Sequence, residues 1–189
     1  MSFRYRDAVK DLGAVSINTD RLVLRPIQKR DTEAIFHHFT AEITRYMMPA
    51  SAKELSETEA FVTSALLALK QATDLHLVIS DKAGGEFLGI CGLHDRGADD
   101  ELELGIWLKI EAHGRRAGFE AISGLKEWAE DNLLYRQLIY PVDRRNIASR
   151  KIPEALGGRI IAEKKQISMA GHELDEIVFA IGNPNESGI

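Results

Sequence analysis

The sequence predicts an α/β (α+β) fold in which a mixed, mostly antiparallel sheet of six to seven strands is flanked by about four helices. Two observations carry this prediction. Short apolar runs bounded by turn residues recur along the chain, which is typical of strands. Between two of these runs, residues 114–132 repeat apolar side chains at helical spacing. A crossover helix makes its flanking strands parallel, so we expect 101–108 and 137–142 to be parallel neighbours.

The first part of the chain supplies one strand and two helices. Residues 1–18 are predicted to form an irregular arm or a short helix. Residues 21–26 (RLVLRP) alternate in polarity, and Pro26 limits the strand that they predict. Apolar residues at helical spacing then predict a helix after Asp31 and a second helix that ends at about residue 71.

The rest of the chain is rich in strands separated by polar turns. Apolar runs predict the remaining strands, at 75–80, 87–93, 101–108, 137–142, 159–163 and 174–180. A short helix is predicted at 147–156, and the two glycines that follow it are typical of a helix stop.

The length of 189 residues suits one domain, which we place at 19–182, after an arm at 1–18 and before a flexible tail at 183–189. The net charge of −5 without a basic stripe argues against nucleic acid as a direct partner. No apolar stretch is long enough to span a membrane. The single cysteine, Cys91, lies in an apolar run and is interpreted as core, and the absence of possible disulfides predicts a cytoplasmic protein. The sequence leaves the oligomeric state open between a monomer and a homodimer.

The segment with the most chemical information is the loop between the strand at 101–108 and the long helix. A helix N-terminus carries free N–H groups and a partial positive charge, which favours a bound phosphate. Gly114 and Gly118 permit a close approach of the backbone, and Arg115 and Arg116 add positive charge. From these residues alone, a solvated helix start remains the commoner explanation. The loop lacks the patterns of a Walker loop and of a Rossmann fingerprint.

A resemblance adds to this interpretation. The stretches ELGIWL, HGRRAGFEA and NIASRKIPEALGG, in that order, resemble the GNAT acetyltransferases. INTDRLVLRPI and FLGICGLHD are similar to further strands of the branch that contains the ribosomal-protein N-terminal acetyltransferases. The resemblance covers about residues 17–180, and it implies the GNAT fold with a splay between 101–108 and 137–142.

The resemblance also implies acetyl-CoA as cosubstrate and an amine as acceptor, either a small molecule or a protein N-terminus. Backbone groups of Ile106, Trp107 and Leu108 would contact the pantetheine arm. The pyrophosphate would bind the loop formed by His113, Gly114, Arg115, Arg116, Ala117 and Gly118. Asn146 and Ser149 would face the pantetheine and the sulfur. In this chain Arg116 takes the place of the usual glycine, and Pro153 that of a tyrosine which protonates the thiolate in many relatives.

Acetyl transfer to an amine needs a neutral amine, a polarised carbonyl and a leaving thiolate, and direct attack needs no enzyme nucleophile. Glu103 alternates with apolar neighbours on the strand that enters the site, so it is the first candidate for the general base, with a surface carboxylate as the alternative. His94, at the end of the neighbouring strand, is a second candidate. Ser149 is the candidate proton donor. Adjacent His37 and His38 do not face one point, and no metal is expected.

Two functions therefore remain open on the sequence. The first is an acetyl-CoA-dependent N-acetyltransferase without a covalent enzyme intermediate. The second is a catalytically degenerate module of the same fold that binds or senses a ligand. The departures at Arg116, at Pro153 and at Gly158, where relatives usually have a phenylalanine, motivate it.

Overall fold

The computed structural model describes residues 2–7, 11–96 and 100–183. It contains ten strands: β1 (Arg4–Tyr5), β2 (Ile17–Asn18), β3 (Leu22–Pro26), β4 (Asp74–Asp81), β5 (Phe87–Asp95), β6 (Glu101–Leu108), β7 (Leu133–Leu134), β8 (Gln137–Asp143), β9 (Arg159–Ile167) and β10 (Glu173–Gly182). Five α-helices accompany them: α1 (Thr32–His38), α2 (Ala41–Thr44), α3 (Leu55–Gln71), α4 (Ala117–Asn132) and α5 (Ile147–Ala155).

Eight strands form one sheet in the order β2-β3-β4-β5-β6-β8-β10-β9, and β1 pairs with β7 in a separate ribbon. All neighbours in the large sheet are antiparallel except β6 and β8, which are parallel. The predicted fold class and the predicted parallel pair are confirmed. The sheet has eight strands because Ile17 and Asn18 also pair with β3, and the extra helix is the single turn of α2.

The two faces of the sheet are covered by different helices. On the α4 face, α4 and α5 pack against alternate residues of the central strands, among them Cys91, Leu104 and Ile106. On the α3 face, α1 and α3 enclose a smaller cluster that includes Val78, Ile90 and the partly buried Trp107. The alternation of a strand places each residue of β6 on one face or the other, so the odd-numbered residues of β6 belong to the α3 face.

The ends of the chain meet the sheet differently. In the segment predicted as an arm, Phe3, Leu12 and Ile17 are buried in the core of the α4 face. Of the predicted tail, Asn183 is buried and donates a hydrogen bond to the Tyr135 carbonyl at 2.9 Å, and the residues after it lie outside the described part of the chain. Within the described ranges, no helix is both long and apolar enough to cross a membrane.

Candidate active site

A gap opens in the middle of the large sheet, between β6 and β8. The two strands pair only at Glu101↔Gln137, Leu102↔Leu138 and Glu103↔Ile139. Beyond Glu103 the strands diverge, so residues 104–108 of β6 and the end of β8 border an opening that exposes backbone groups. This opening is the splay that the resemblance implies.

The backbone of β6 points alternately toward β5 and toward the gap. Lys109 N–H donates to the Leu88 carbonyl of β5 at 2.8 Å. Counting back along an antiparallel ladder, Trp107 also directs its N–H and C=O toward β5, while Ile106 and Leu108 direct theirs into the gap. Of the three residues proposed to contact the pantetheine arm through their backbone, the register therefore offers Ile106 and Leu108.

Trp107 contributes its side chain on the opposite side. Its ring lies 4.9 Å from that of Phe39 and 5.8 Å from that of Phe87, on the α3 face. Gly89 lets β5 approach this point, since a Cβ at Gly89 would lie 2.2 Å from the Trp107 carbonyl oxygen. Trp107 thus closes the apolar cluster of α1 and α3 next to the gap.

The predicted cofactor loop follows β6 and ends at the N-terminus of α4. The His113 ring donates from Nε2 to the Leu108 carbonyl at 2.9 Å, which ties the loop to the end of β6. Gly114 has φ +76° and Arg116 has φ +60°. These two left-handed residues prevent a helix from forming, so α4 begins at Ala117, three residues later than the sequence suggests. The first N–H groups of α4 have no partner within the helix.

The charges of the loop lie on its exposed side. The guanidinium of Arg116 lies 5.5 Å from the centre of the Phe119 ring, along the outside of α4. Arg21, the residue before β3, donates to the Arg115 carbonyl at 3.0 Å and pairs with Glu120 at 2.6 Å, which fixes the loop to the start of this strand. The Arg115 and Arg116 side chains make no ion pair with the described residues. The loop therefore places two positive charges next to a helix N-terminus.

Gly118, the first buried glycine of α4, packs against α5 and against the end of β6 that borders the gap. A Cβ at this position would lie 3.2 Å from Ile152 Cδ1, 3.6 Å from Leu108 Cδ1 and 3.7 Å from Ile106 Cδ1. The absence of a side chain therefore lets α4 approach the splayed end of β6.

Ser149 faces the gap region from α5 and holds a buried tyrosine. Its hydroxyl lies 2.8 Å from the hydroxyl of Tyr140 on β8. The side chain of Asn146 accepts a hydrogen bond from the Ser149 N–H at 3.2 Å and caps α5. Pro153 lies within α5 and has no N–H to donate to the Ser149 carbonyl. Burial raises the pKa of Tyr140 to about 12, so this hydroxyl stays protonated.

Glu103 lies on the α3 face at the point where the gap begins. Its carboxylate accepts a hydrogen bond from Arg96 Nη2 at 3.2 Å. It stands opposite His94 in the ladder between β5 and β6. Glu103 therefore lies on the same face as His94 with its carboxylate bonded to Arg96, and its role as general base stays a prediction.

His94 belongs to a polar cluster with Asp74 and His76 of β4. His94 Nδ1 and Asp74 Oδ1 are 2.6 Å apart, and the hydrogen bond from His94 holds the pKa of Asp74 below its ordinary value. The His76 ring lies 4.8 Å from that of His94, and burial, followed by the charge of His94, lowers the pKa of His76 to about 4. The sequence offered no signal for this cluster, because only the pairing of β4 with β5 brings residues 74 and 94 together.

The same cluster has the composition of a metal site. Asp74, His76 and His94 each offer one ligand atom, and these atoms lie within 4.8 Å of one another. Two histidines and a carboxylate suit a divalent transition metal. The hydrogen bond between Asp74 and His94 already engages one potential ligand atom of each of these two residues, and the expectation of a metal-free enzyme stays a prediction.

The structure also bears on Cys91, which the sequence analysis interprets as core, and on Tyr140, which it does not single out. Cys91 is fully buried on β5, and burial raises the pKa of its thiol, in agreement with its interpretation as core. Tyr140 was missed, because a tyrosine within an apolar strand gives no sign that its hydroxyl will meet a serine on the next helix.

Solved structures of three acetyltransferases share this fold. A GNAT-family acetyltransferase from Bacillus anthracis is 18% identical, with a TM-score of 0.75, and the match covers 89% of this chain and 99% of that chain. A GCN5-related N-acetyltransferase from Brucella melitensis is 19% identical, with a TM-score of 0.75 and coverage of 98% and 84%. The ribosomal L7/L12 α-N-protein acetyltransferase RimL in complex with coenzyme A is 15% identical, with a TM-score of 0.74 and coverage of 88% and 97%.

The sequence itself decides the family. No curated protein matches the chain. The family profile described as acetyltransferase (GNAT) domain matches residues 21–159, which is well over half of the 189 residues. This range contains the splayed strands, the loop before α4 and the Ser149–Tyr140 pair. The resemblance seen in the sequence is confirmed, and the chain belongs to the GNAT family of N-acetyltransferases.

Proposed function

We propose that the protein transfers the acetyl group of acetyl-CoA directly to a primary amine, with the cosubstrate held in the gap between β6 and β8. The observation that carries this proposal is the end of β6–β8 pairing at Glu103, directly before the residues that lead into the loop of α4. The gap offers backbone groups of Ile106 and Leu108 to an amide-containing arm. Its far end meets the cationic loop at 113–118.

The loop suits a pyrophosphate. Backbone N–H groups at the start of α4, together with Arg115 and Arg116, which form no ion pair with any described residue, present positive charge to solvent. The Arg116 guanidinium lies 5.5 Å from the centre of the Phe119 ring, so we expect its side chain to run along α4 and to leave the helix N-terminus accessible. We infer that Arg116 strengthens phosphate binding and does not obstruct it.

The thiolate leaves on the α4 face, where Ser149 serves as the hydrogen-bond donor. When the Tyr140 hydroxyl donates to Ser149 Oγ, the proton of Ser149 is free to bond the sulfur. The position of the tyrosine acid of many relatives is occupied by Pro153, and Tyr140 reaches the same region from β8 through Ser149. Tyr140 is therefore a positioning residue for Ser149.

The acceptor amine approaches from the α3 face, where Glu103 supplies negative charge to attract an ammonium group. RimL acts on the N-terminus of a ribosomal protein, so we propose a protein N-terminus or a small primary amine as acceptor. Nucleic acid is not a direct partner in this proposal, and the protein acts in the cytoplasm as a monomer or homodimer.

The proposal is tested by isothermal titration with acetyl-CoA and by thiol release in the presence of N-terminal peptides and small amines. Reversing the charge of both loop arginines, R115E/R116E, is expected to weaken acetyl-CoA binding by at least tenfold. Arg159→Glu, an exposed arginine on the edge strand β9, is the matched control and leaves the affinity unchanged.

Two outcomes would contradict the proposal. Equal losses in the loop variant and the Arg159 variant would show that the loop is not the phosphate site. A folded protein that fails to bind acetyl-CoA at sub-millimolar concentration would favour the alternative function, a degenerate module of the same fold.

A further inference from the structure

We propose that Asp74 and His94 form a carboxylate–histidine pair that acts as the general base for the acceptor amine. This inference rests on the proposed acetyl transfer and assigns its base. Neither residue belongs to the cofactor loop or to α5, and both lie on the α3 face, away from the side on which the thiolate leaves.

The hydrogen bond between the two residues fixes the orientation and tautomer of the imidazole. His94 Nδ1 lies 2.6 Å from Asp74 Oδ1, and the ionised carboxylate can only accept, so the proton belongs to Nδ1. The lone pair of the neutral ring is then on Nε2. His94 is 7% exposed, so its packing holds the ring in this position. A base must have a free lone pair in a fixed place, and His94 meets both conditions.

Two glycines leave space for the ring over the centre of the sheet. A Cβ on Gly92 would lie 2.6 Å from His94 Nε2, and a Cβ on Gly105 would lie 3.5 Å from it. Nε2 is therefore located directly above the Gly92–Gly105 pair of β5 and β6. Gly105 lies between Glu103, where pairing with β8 ends, and Ile106, which faces the gap. His94 Nε2 therefore lies at the same position along β6 as the start of the gap in which the thioester would lie.

The neighbouring charged groups favour His94 over Glu103 as base. Glu103 accepts a hydrogen bond from Arg96 Nη2 at 3.2 Å, so one oxygen of its carboxylate already has a partner. Arg96 also lies 3.7 Å from Asp74. His76, whose pKa is about 4, is neutral at physiological pH and adds no positive charge beside His94. Among the residues that the structure describes, the titratable groups around the imidazole are Asp74, His76, Arg96 and Glu103.

The reaction balances with this assignment. His94 Nε2 takes one proton from the acceptor ammonium, and the neutral nitrogen attacks the thioester carbonyl carbon. The new C–N bond forms and the C–S bond breaks. The second proton lost by the nitrogen reaches the thiolate and gives the CoA thiol. The proton on His94 passes to solvent, so the enzyme returns to its starting state.

The test compares H94Q, D74N and E103Q, with H37Q and D20N as controls that make the same changes at exposed positions. H94Q is expected to lower kcat/KM for the acceptor by about 100-fold at neutral pH. D74N is expected to lower it by about tenfold and to move the acid limb of the pH profile to lower pH, because asparagine cannot stabilise the imidazolium by charge. E103Q raises the acceptor KM and leaves the position of the acid limb unchanged.

Acetyl-CoA affinity separates this inference from the proposed function. All variants are expected to bind acetyl-CoA like the wild type, because the changes lie on the α3 face. Loss of acetyl-CoA binding in the wild type would defeat the proposed function itself. Normal binding with an intact pH profile in H94Q would defeat only the assignment of the base, and loss of the acid limb in E103Q would transfer the role to Glu103.

A spectroscopic measurement decides the tautomer without an acceptor. Long-range 15N NMR spectra are expected to show the proton of neutral His94 on Nδ1 in the wild type and a mixture of tautomers in D74N. A proton on Nε2 in the wild type would overturn the inference. Activity that is lost with a chelator and restored by Zn²⁺ would overturn it too, since Asp74, His76 and His94 would then be metal ligands.

Discussion

The two faces of β6 are built differently, although they belong to the same eight residues. On the α4 face the strand presents Leu102, Leu104 and Ile106, which pack against the helices. On the α3 face it presents Glu103 and Gly105, next to a buried histidine. The apolar face is filled by packing against the helices, next to the gap in which we propose that the cosubstrate binds. The polar face leaves a space and surrounds it with groups that can exchange a proton.

The comparison suggests that the two proton transfers of the reaction occur on opposite sides of one strand. The thiolate would be protonated on the α4 face, and the ammonium would lose its proton on the α3 face. Because the two steps occur on different faces, the acid and the base of the enzyme do not exchange protons directly with each other. The variants below test the two faces independently.

The largest effect is expected on the α4 face, from Ser149 and Tyr140. Ser149→Ala is expected to lower kcat by about 100-fold, because the leaving thiolate loses its hydrogen-bond donor. Tyr140→Phe should lower kcat by about tenfold, because it acts through Ser149. Steady-state kinetics of the double variant provide the check: it should be no slower than Ser149→Ala, since the two residues act as one unit.

Tyr135→Phe is the matched control for Tyr140→Phe. Tyr135 is also buried on the α4 face, and its hydroxyl has no hydrogen-bond partner among the described residues. Its replacement is expected to leave kcat unchanged. Equal losses of kcat in both tyrosine variants would mean that the effect comes from packing and not from the hydroxyl of Tyr140.

The next effect concerns the α3 face and acid stability. His76 has a pKa of about 4 in the folded protein, against about 6.5 when unfolded. Between these values the unfolded chain binds a proton at His76 that the native protein does not bind, so the free energy of unfolding falls as the pH is lowered. The loss attributable to His76 is about 2 kcal/mol between pH 7 and pH 5.

Urea denaturation of the wild type and His76→Gln at both pH values measures this contribution. The difference between pH 7 and pH 5 should shrink by about 2 kcal/mol in the variant. Asp74 does not interfere, because its lowered pKa makes it titrate below this range. His37→Gln, on the exposed side of α1, should keep the full pH dependence, and an unchanged dependence in His76→Gln would contradict the burial argument.

The loop at 113–118 and the Asp74–His94 pair differ in how much of each the sequence could predict. The loop at 113–118 could be proposed from the sequence because its glycines, arginines and helix start are contiguous, and its role in cofactor binding stays a prediction. The parallel pairing of β6 and β8 followed from the crossover helix. The Asp74–His94 pair could not be found, because the two residues are separated by 20 positions and meet only through the register of β4 and β5.

Local propensity also misplaced the start of α4. The segment from Gly114 looked helical in polarity, yet Gly114 and Arg116 adopt left-handed conformations and Ala117 is the first helical residue. Glycine explains the first of these but arginine rarely adopts such a conformation. Arg21 holds this turn through a hydrogen bond to the Arg115 carbonyl and an ion pair with Glu120. These contacts join residues far apart in the sequence, so no local pattern predicts them.

A smaller effect is expected at Gly105, which keeps the α3 face open. A Cβ there would make ordinary contact with His94 Nε2 at 3.5 Å, so Gly105→Ala should fold normally and occupy the path of the acceptor. The acceptor KM should rise by about tenfold, or about 1.4 kcal/mol, with unchanged acetyl-CoA affinity. Gly84→Ala, at a turn with open space around it, is the control. A loss of acetyl-CoA affinity in Gly105→Ala would show that the two faces are not independent.

The smallest effect is expected at Arg116, where stability and binding oppose each other. Arginine at φ +60° is strained, so Arg116→Gly should raise the free energy of unfolding by about 1 kcal/mol in urea denaturation. The same change removes one positive charge from the loop, and calorimetry should show a two- to fivefold loss of acetyl-CoA affinity, roughly 0.4–1 kcal/mol. Tighter binding in Arg116→Gly would mean that the arginine crowds the phosphates. The strain at Arg116 would then not be offset by tighter binding of acetyl-CoA. Only the helix N-terminus and Arg115 would contribute to phosphate binding by the loop.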